Sequence, residues 1–160
     1  TMQLLEKNYV PLVRIHAVKE QNLPYGKRQL NTTQEVVEFS GQILEDADRE
    51  YVLVLSVDTK CAPVGIEVAS IGTLNQALIE PREIFKHAIL SNALGIFIIH
   101  NHPSGDVTPS TENRLVTERL ENAGKILGIK VLDHIILGEY GTFYSLEEEK
   151  RREMELCQQM

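Results

Sequence analysis

The chain has 160 residues, of which 42% are hydrophobic and 24% charged, a composition typical of one globular domain with a substantial core. Its formal net charge of -7 argues against a nucleic-acid-binding protein, because such proteins carry clustered positive charge. The longest apolar run, Leu94 to Ile99, is too short to span a bilayer, and the first residues do not resemble a secretory leader, so we expect a cytoplasmic protein without membrane contact.

The first half of the chain is predicted to alternate between strands and helices. Thr32 followed by Glu35 is typical of a capping box, so a helix is expected to begin there. Alternating or continuous β-favouring residues predict strands, the second of them buried on both faces, at Tyr9–Val18, Tyr51–Val57 and Gly65–Ile71.

The second half continues the same alternation. Pro81 favours the start of a helix, and a longer helix is expected from Ser110 to Leu127, where Gly128 ends it. Its predicted core face consists of Leu115, Val116, Leu120, Ala123 and Leu127. Short apolar strands are predicted at Leu94–His100, Ile129–Leu137 and Thr142–Leu146. The fold class is therefore α/β, a mixed sheet flanked by helices, with one domain over 1–146 and a charged helical tail over 147–160.

Two histidines at the end of a predicted strand are the first candidates for chemistry. His100 and His102 are one residue apart, and side chains at such spacing on a strand point to the same side, so both imidazoles can face one ion. Ser110 is placed to cap the next helix, and Asn113 at the third helical position faces back toward the loop. A strand end, a tight loop and a helix start are the independent rigid elements from which a zinc site gathers its donors.

Each of these residues also has an ordinary structural explanation. A single histidine near a strand end is usually a satisfied surface or core residue, Ser110 alone is a helix cap, and Asn113 alone is a surface amide. From the spacing alone, a metal site and a purely structural set of residues are equally compatible with the sequence.

The segment from His100 to Asn113, HNHPSGDVTPSTEN, resembles the JAMM signature HxHx7SxxD in its RadC-like form HNHPSGDxTPSxxD. Further segments are similar to RadC-family segments in the same order: GTLN at 72–75, PREIF at 81–85 and LDHII at 132–136. The resemblance extends from about Thr32 to Leu146. It implies a JAB/MPN fold, related in architecture to cytidine deaminases, without the helix-hairpin-helix segment that precedes the domain in longer members.

The resemblance also implies a function, the hydrolysis of a peptide or isopeptide bond, and roles for individual residues. In the family's zinc peptidases, the two motif histidines and the motif Asp bind zinc, the motif Ser supports the oxyanion, and an upstream Glu activates the water on the metal. His100 and His102 are then expected to be zinc ligands and Ser110 the oxyanion helper. Glu50, in REYVLVL, matches the upstream acid, although a carboxylate in that place can also be a surface residue flanking a strand.

Position 113 carries Asn where the signature has Asp, and this departure bears on activity. An amide oxygen can reach a metal but brings no charge, so the zinc affinity is expected to fall. Asp106 and Glu112 are nearby carboxylates, although Glu112 is expected to point about 100° away from Asn113 and Asp106 belongs to the loop motif itself. Three interpretations stay open: a hydrolase that binds zinc weakly, a metal-free binding module, and an altered form of a complete site.

Other functions fit the sequence less well. The letters HNH at 100–102 also name a nuclease motif, but the residues of that motif are spread over a ββα unit. A nucleobase deaminase needs HxE followed by PCxxC, and neither is present. A DNA-repair accessory role, often attached to RadC proteins, has no support in the charge. The expected partner is a peptide or protein substrate, and the charged C-terminal helix and sheet edges offer surfaces for a homodimer.

Overall fold

The computed structural model of the chain describes residues 9–26, 29–72 and 79–159, so residues 73–75 of the GTLN segment lie outside the described part. In chain order the described elements are α1 (Thr33–Leu44), β1 (Tyr51–Val57), β2 (Pro63–Ile71), α2 (Pro81–Ile84), α3 (Lys86–Leu90), β3 (Gly95–Asn101), α4 (Thr111–Leu127), β4 (Lys130–Leu137), a 3-10 turn (Glu139–Gly141), β5 (Phe143–Ser145) and α5 (Leu146–Gln158). None of these helices is long and apolar enough to cross a lipid bilayer.

The strands form one mixed sheet in the order β2-β1-β3-β4-β5. β3 and β4 run parallel, and the other neighbouring pairs are antiparallel. A parallel pair needs a long crossover connection, and α4 supplies it. The mixed sheet with flanking helices confirms the predicted α/β class. β3 lies in the middle of the sheet, so the end of this strand is enclosed by β1 on one side and β4 on the other.

Among the described residues, two hydrophobic cores lie on opposite faces of the sheet, because successive residues of a strand point to opposite sides. The face under α2, α3 and α4 buries Val52, Val54, Ile84, Phe85, Ala88, Ala93, Ile96, Ile98, Leu120, Ile129 and Val131. The face under α1 buries Leu30, Val36, Val37, Phe39, Leu53, Leu55, Val57, Ile99, Ile135 and Leu137. Alternate residues of β1 and β3 belong to different cores, which confirms that β1 is buried on both faces.

The predicted strand over Tyr9–Val18 is wrong. These residues form no helix or strand, and their apolar side chains are exposed, with Val10 at 93% and Leu12 at 103% relative exposure. Alternation gives a segment one apolar face, but a strand also needs a neighbour for its backbone N–H and C=O groups. Within the described ranges the outer edges of the sheet are β2 and β5, and neither pairs with this segment.

The predicted core face of α4 is only partly right. Leu120 is buried, but Leu115 and Leu127 are 61% and 47% exposed. The buried positions on this helix are Thr117, Leu120 and Gly124, which follow the helical spacing of three and four residues. Two of these three residues, Thr117 and Gly124, are small or polar. The helix therefore faces the sheet with residues that a search for periodic apolar positions does not find.

A buried carboxylate in β4 connects the ends of several elements. Asp133 accepts a hydrogen bond from the Ser145 hydroxyl at 2.6 Å and from the backbone N–H of Glu147 at 3.1 Å. The hydroxyl of Thr33, the first residue of α1, donates to the same carboxylate at 3.4 Å. Burial raises the pKa of Asp133 to about 6, against the opposing effect of the hydrogen bond from Ser145.

This raised pKa predicts a pH-dependent contribution to stability. The folded protein holds the Asp133 proton up to about pH 6, whereas the unfolded chain loses it near the ordinary value of 3.8. The stabilising contribution is therefore complete below pH 3.8 and is lost as the pH rises through about 6, which amounts to about 3 kcal/mol. Of this contribution, about 2 kcal/mol is lost above pH 4.5, so we expect the unfolding free energy of wild type, relative to Asp133→Asn, to fall by about that amount between roughly pH 4.5 and pH 7.5. Urea unfolding of both proteins measures it, and a difference that grows with pH contradicts the prediction.

Candidate metal centre

The two motif histidines lie at the end of the central strand. His100 is buried in β3 at 3% relative exposure, and His102 follows the strand and is half-buried. The backbone N–H of His102 still bonds the carbonyl oxygen of Leu137, at 2.8 Å, which extends the alignment with β4. The Nε2 atoms of the two rings are 3.0 Å apart. The structure therefore brings this predicted pair together.

The other nitrogen of each ring is bound by a different neighbour. Nδ1 of His100 lies 2.7 Å from Nε2 of His134, which stands in β4 on the same face of the sheet. Nδ1 of His102 lies 2.6 Å from the carbonyl oxygen of Asp106 in the following loop. The Nδ1 atom of each ring thus has a hydrogen-bond partner, and the two Nε2 atoms are turned toward each other.

The buried rings are kept neutral at neutral pH. Burial holds the pKa of His100 well below its ordinary value, and the neighbouring His134 and His102 lower it further. Burial also lowers the pKa of His134 to about 4, with His102 as the second cause. A neutral imidazole is the form that binds metals.

The first turn of α4 holds the other two motif residues. Ser110 is the N-cap and Asn113 the third helical residue, and each side chain bonds the backbone of the other in a capping box. Oδ1 of Asn113 accepts from the Ser110 backbone N–H at 2.9 Å and from the Ser110 hydroxyl at 2.8 Å. An amide oxygen has two lone pairs, so both are in use in this arrangement.

The two candidate compensating carboxylates have different surroundings. Oδ1 of Asp106 accepts a hydrogen bond from the backbone N–H of Thr108 at 2.9 Å, and this bond is the main cause that lowers the pKa of Asp106. Glu112 is exposed at the position before Asn113. Asp106 thus has a structural partner within the loop.

Glu50, the candidate general base, lies directly before β1 and is half-buried. In the antiparallel pair of β1 and β3, Val52 is opposite His100, so continuing the register by two residues aligns Glu50 with His102. The side chain of Asn101 holds this stretch, because its Oδ1 accepts from the Tyr51 N–H at 2.7 Å and its amide donates to the Arg49 carbonyl at 2.9 Å. Asn101 thereby fixes the backbone on both sides of Glu50.

A zinc ion fits this donor set only in part. Two neutral imidazole nitrogens converge within 3.0 Å, which is the donor type that zinc prefers. The third position is the neutral amide of Asn113, which is engaged by Ser110. Among the residues that the structure describes, no group of three or more His, Cys, Asp or Glu side chains is placed to hold a metal ion.

Sequence reasoning missed three residues that this geometry brings in: Thr117, His134 and Asn101. Thr117 Oγ1 lies 2.6 Å from Nδ1 of His134 and donates to the carbonyl oxygen of Asn113, also at 2.6 Å. A histidine within the apolar strand LDHIIL was the available signal for His134, because a buried polar side chain needs a partner. For Thr117 and Asn101 the sequence carried no comparable signal.

Comparison with known proteins identifies relatives over most of the chain. The family model described as "RadC-like JAB domain" matches residues 30–151. A UPF0758 protein of Thermotoga maritima is 48% identical over 101 residues, which cover 63% of this chain and 46% of that protein. UPF0758 proteins of Desulfitobacterium hafniense and Methanosarcina mazei are 44% and 41% identical, over 78% and 77% of this chain and 55% and 53% of their own lengths. The chain thus spans about half the length of these curated relatives.

Proposed function

Because the chain belongs to the family of RadC-like JAB domains, we propose that it is a zinc-dependent hydrolase of the JAMM class that cleaves a peptide or isopeptide bond. The observation that carries the proposal is the pair of Nε2 atoms of His100 and His102, 3.0 Å apart, with each Nδ1 atom bound elsewhere. Two imidazole lone pairs that face each other repel unless a proton or a cation lies between them. A zinc ion held by both rings would relieve that repulsion.

Zinc, when bound, supplies a Lewis acid that polarises a carbonyl group and lowers the pKa of water toward neutrality. The carboxylate of Glu50 accepts the proton of the attacking water and passes it to the leaving amine, so that water and amide give acid and amine. The Ser110 hydroxyl donates to the carbonyl oxygen of the substrate as negative charge develops there. For that step it turns away from Asn113, to which it donates in the free protein.

A non-catalytic binding module of the same fold is the second candidate. The observation in its favour is the capping box of Asn113, since both lone pairs of the amide oxygen are occupied by Ser110. With the third donor so engaged, two imidazoles alone hold a metal ion weakly. In this case the site binds its peptide or protein partner without cleaving it.

Titration of the metal-free protein with zinc chloride tests the metal part of the proposal. We expect about one ion per chain, because the two Nε2 atoms are close enough together to bind the same ion. His100→Ala and His102→Ala are expected to abolish this binding. Glu50→Gln is the matched control and is expected to leave it intact. Wild type that binds no zinc, or binds it equally well without either histidine, contradicts the proposal.

Hydrolysis decides between the two candidates. A panel of quenched fluorogenic peptides and ε-lysine isopeptides, with zinc present, is expected to contain at least one that wild type cleaves. Glu50→Gln is expected to lower that rate by roughly 10²- to 10⁴-fold, the usual contribution of a general base. Binding of panel members without cleavage by wild type rejects the hydrolase and supports the binding module.

A further inference from the structure

We propose that Thr117 and His134 are positioning residues that fix the tautomer of His100, so that its Nε2 atom carries a bare lone pair directed at His102. The consequence for zinc rests on the proposed function, but the tautomer itself is a property of the metal-free protein. Four buried or half-buried groups lie in a row, and each contact between neighbours holds one hydrogen: the Asn113 carbonyl, the Thr117 hydroxyl and the rings of His134 and His100.

The row begins at a backbone carbonyl, which can only accept hydrogen bonds. The carbonyl oxygen of Asn113 lies 2.6 Å from Oγ1 of Thr117, so the single hydroxyl hydrogen of Thr117 is committed to it. Threonine in a helix commonly bonds the carbonyl four residues earlier in this way. The hydroxyl oxygen of Thr117 is left with lone pairs only, and its next neighbour must donate.

That neighbour is Nδ1 of His134, at 2.6 Å from Oγ1 of Thr117. Nδ1 of His134 therefore carries the hydrogen, and because burial of the ring favours the form with a single hydrogen, its Nε2 is an acceptor. Nε2 of His134 lies 2.7 Å from Nδ1 of His100, which must then be the donor. In the neutral ring of His100 the Nε2 atom is consequently bare.

The opposite polarity is unfavourable at the enclosed contact between Thr117 and His134. It would place a hydrogen between the Nε2 atoms of His100 and His102, but that contact is only partly buried, so solvent or a cation can serve those lone pairs instead. If Nε2 of His134 carried the hydrogen, Nδ1 would be an acceptor facing Thr117, and one hydroxyl hydrogen would have to serve both the ring and the Asn113 carbonyl. A buried acceptor left without a donor is destabilising, because it has lost its hydrogen bonds to water and gained none in return. Since both His134 and Thr117 are buried, no solvent relieves this cost.

The ring of His102 is fixed in the same way by a backbone carbonyl on its far side. The carbonyl oxygen of Asp106 accepts from Nδ1 of His102 at 2.6 Å, so Nδ1 of His102 carries a hydrogen. The two rows therefore meet at the Nε2 atoms of His100 and His102, where no hydrogen is supplied by either side. Thr117 and His134 keep the lone pair of His100 available at that point.

Imidazole nitrogen spectroscopy of the metal-free protein, with all 160 residues present, tests this assignment. Long-range ¹H–¹⁵N correlation on protein labelled with ¹⁵N-histidine distinguishes a protonated ring nitrogen from a bare one. We expect the Nδ1–H tautomer at His100 and at His134 in wild type. Thr117→Val removes the hydroxyl without changing the shape, and we expect both rings to switch to the Nε2–H tautomer. Thr117→Ser keeps a hydroxyl and is expected to retain the wild-type tautomers.

Zinc affinity supplies the second measurement. Zinc chloride titration is expected to give an affinity about 10-fold or more lower for Thr117→Val than for wild type, with recovery in Thr117→Ser. An Nε2–H tautomer at His100 in wild type, or tautomers that stay unchanged in folded Thr117→Val, overturns the inference. If wild type binds no zinc, the proposed function fails while the wild-type tautomers, recorded without metal, still test the inference.

Discussion

Asn113→Asp is expected to raise the zinc affinity of the protein by at least about ten-fold. An aspartate at this position keeps one oxygen for the capping hydrogen bonds of Ser110 and leaves the second oxygen, with a negative charge, for the metal. Loss of a partner that merely supports a ligand already costs about 10- to 100-fold in metal affinity, so gaining a charged ligand should have an effect of at least that order.

Competition titration against a chromophoric zinc chelator measures this change. The matched control is Asn122→Asp, which makes the same substitution at an exposed position of the same helix and adds the same charge. We expect its zinc affinity to equal that of wild type, which separates a ligand effect from a general increase in negative charge. Equal affinities in Asn113→Asp and wild type would show that position 113 is not a third donor.

The elements that the sequence predicted correctly are those determined by local chemistry. The Thr32–Glu35 capping box is present at the start of α1, and the run of β-branched and apolar residues at 51–57 is β1. The segment at Tyr9–Val18 was predicted wrongly, because its alternation is also local but its strand would require a distant pairing edge. Local sequence patterns thus predicted whether a packed segment is a helix or a strand. Which strands pair depends on long-range packing, which these patterns do not contain.

In the candidate site, too, the residues that are close together in the sequence were predicted and the distant ones were not. His100, His102, Ser110 and Asn113 lie in one short segment, so their residue types and spacing were visible together. His134 is 34 residues from His100, and Asn101 contacts backbone atoms about 50 residues earlier in the chain. These contacts exist because β3 is flanked by β1 and β4, an order that the sequence alone did not provide.

Helix α4 comes closest to the start of β4 at Gly124. A Cβ atom on Gly124 would lie 2.4 Å from the backbone carbonyl oxygen of Ile129, a distance that real Cβ atoms do not reach. Beyond the end of the helix, the chain turns at Gly128 with φ of 72° and returns into β4, and the Ile129 N–H bonds the Gly124 carbonyl at 3.0 Å. Helix and strand are therefore joined by backbone atoms that cannot move independently.

Gly124→Ala is consequently expected to lower the unfolding free energy by about 1 to 3 kcal/mol, the usual cost of an overpacked contact. Helix propensity alone predicts the opposite sign, a gain of up to about 1 kcal/mol for alanine in a helix interior. Gly41→Ala in α1 is the matched control, because a Cβ there meets nothing within 4 Å and only the propensity gain applies. Denaturant unfolding of the two variants should therefore shift in opposite directions. A stabilised Gly124→Ala would show that α4 and β4 can separate without loss, and would remove the reason why this helix places Thr117 against His134.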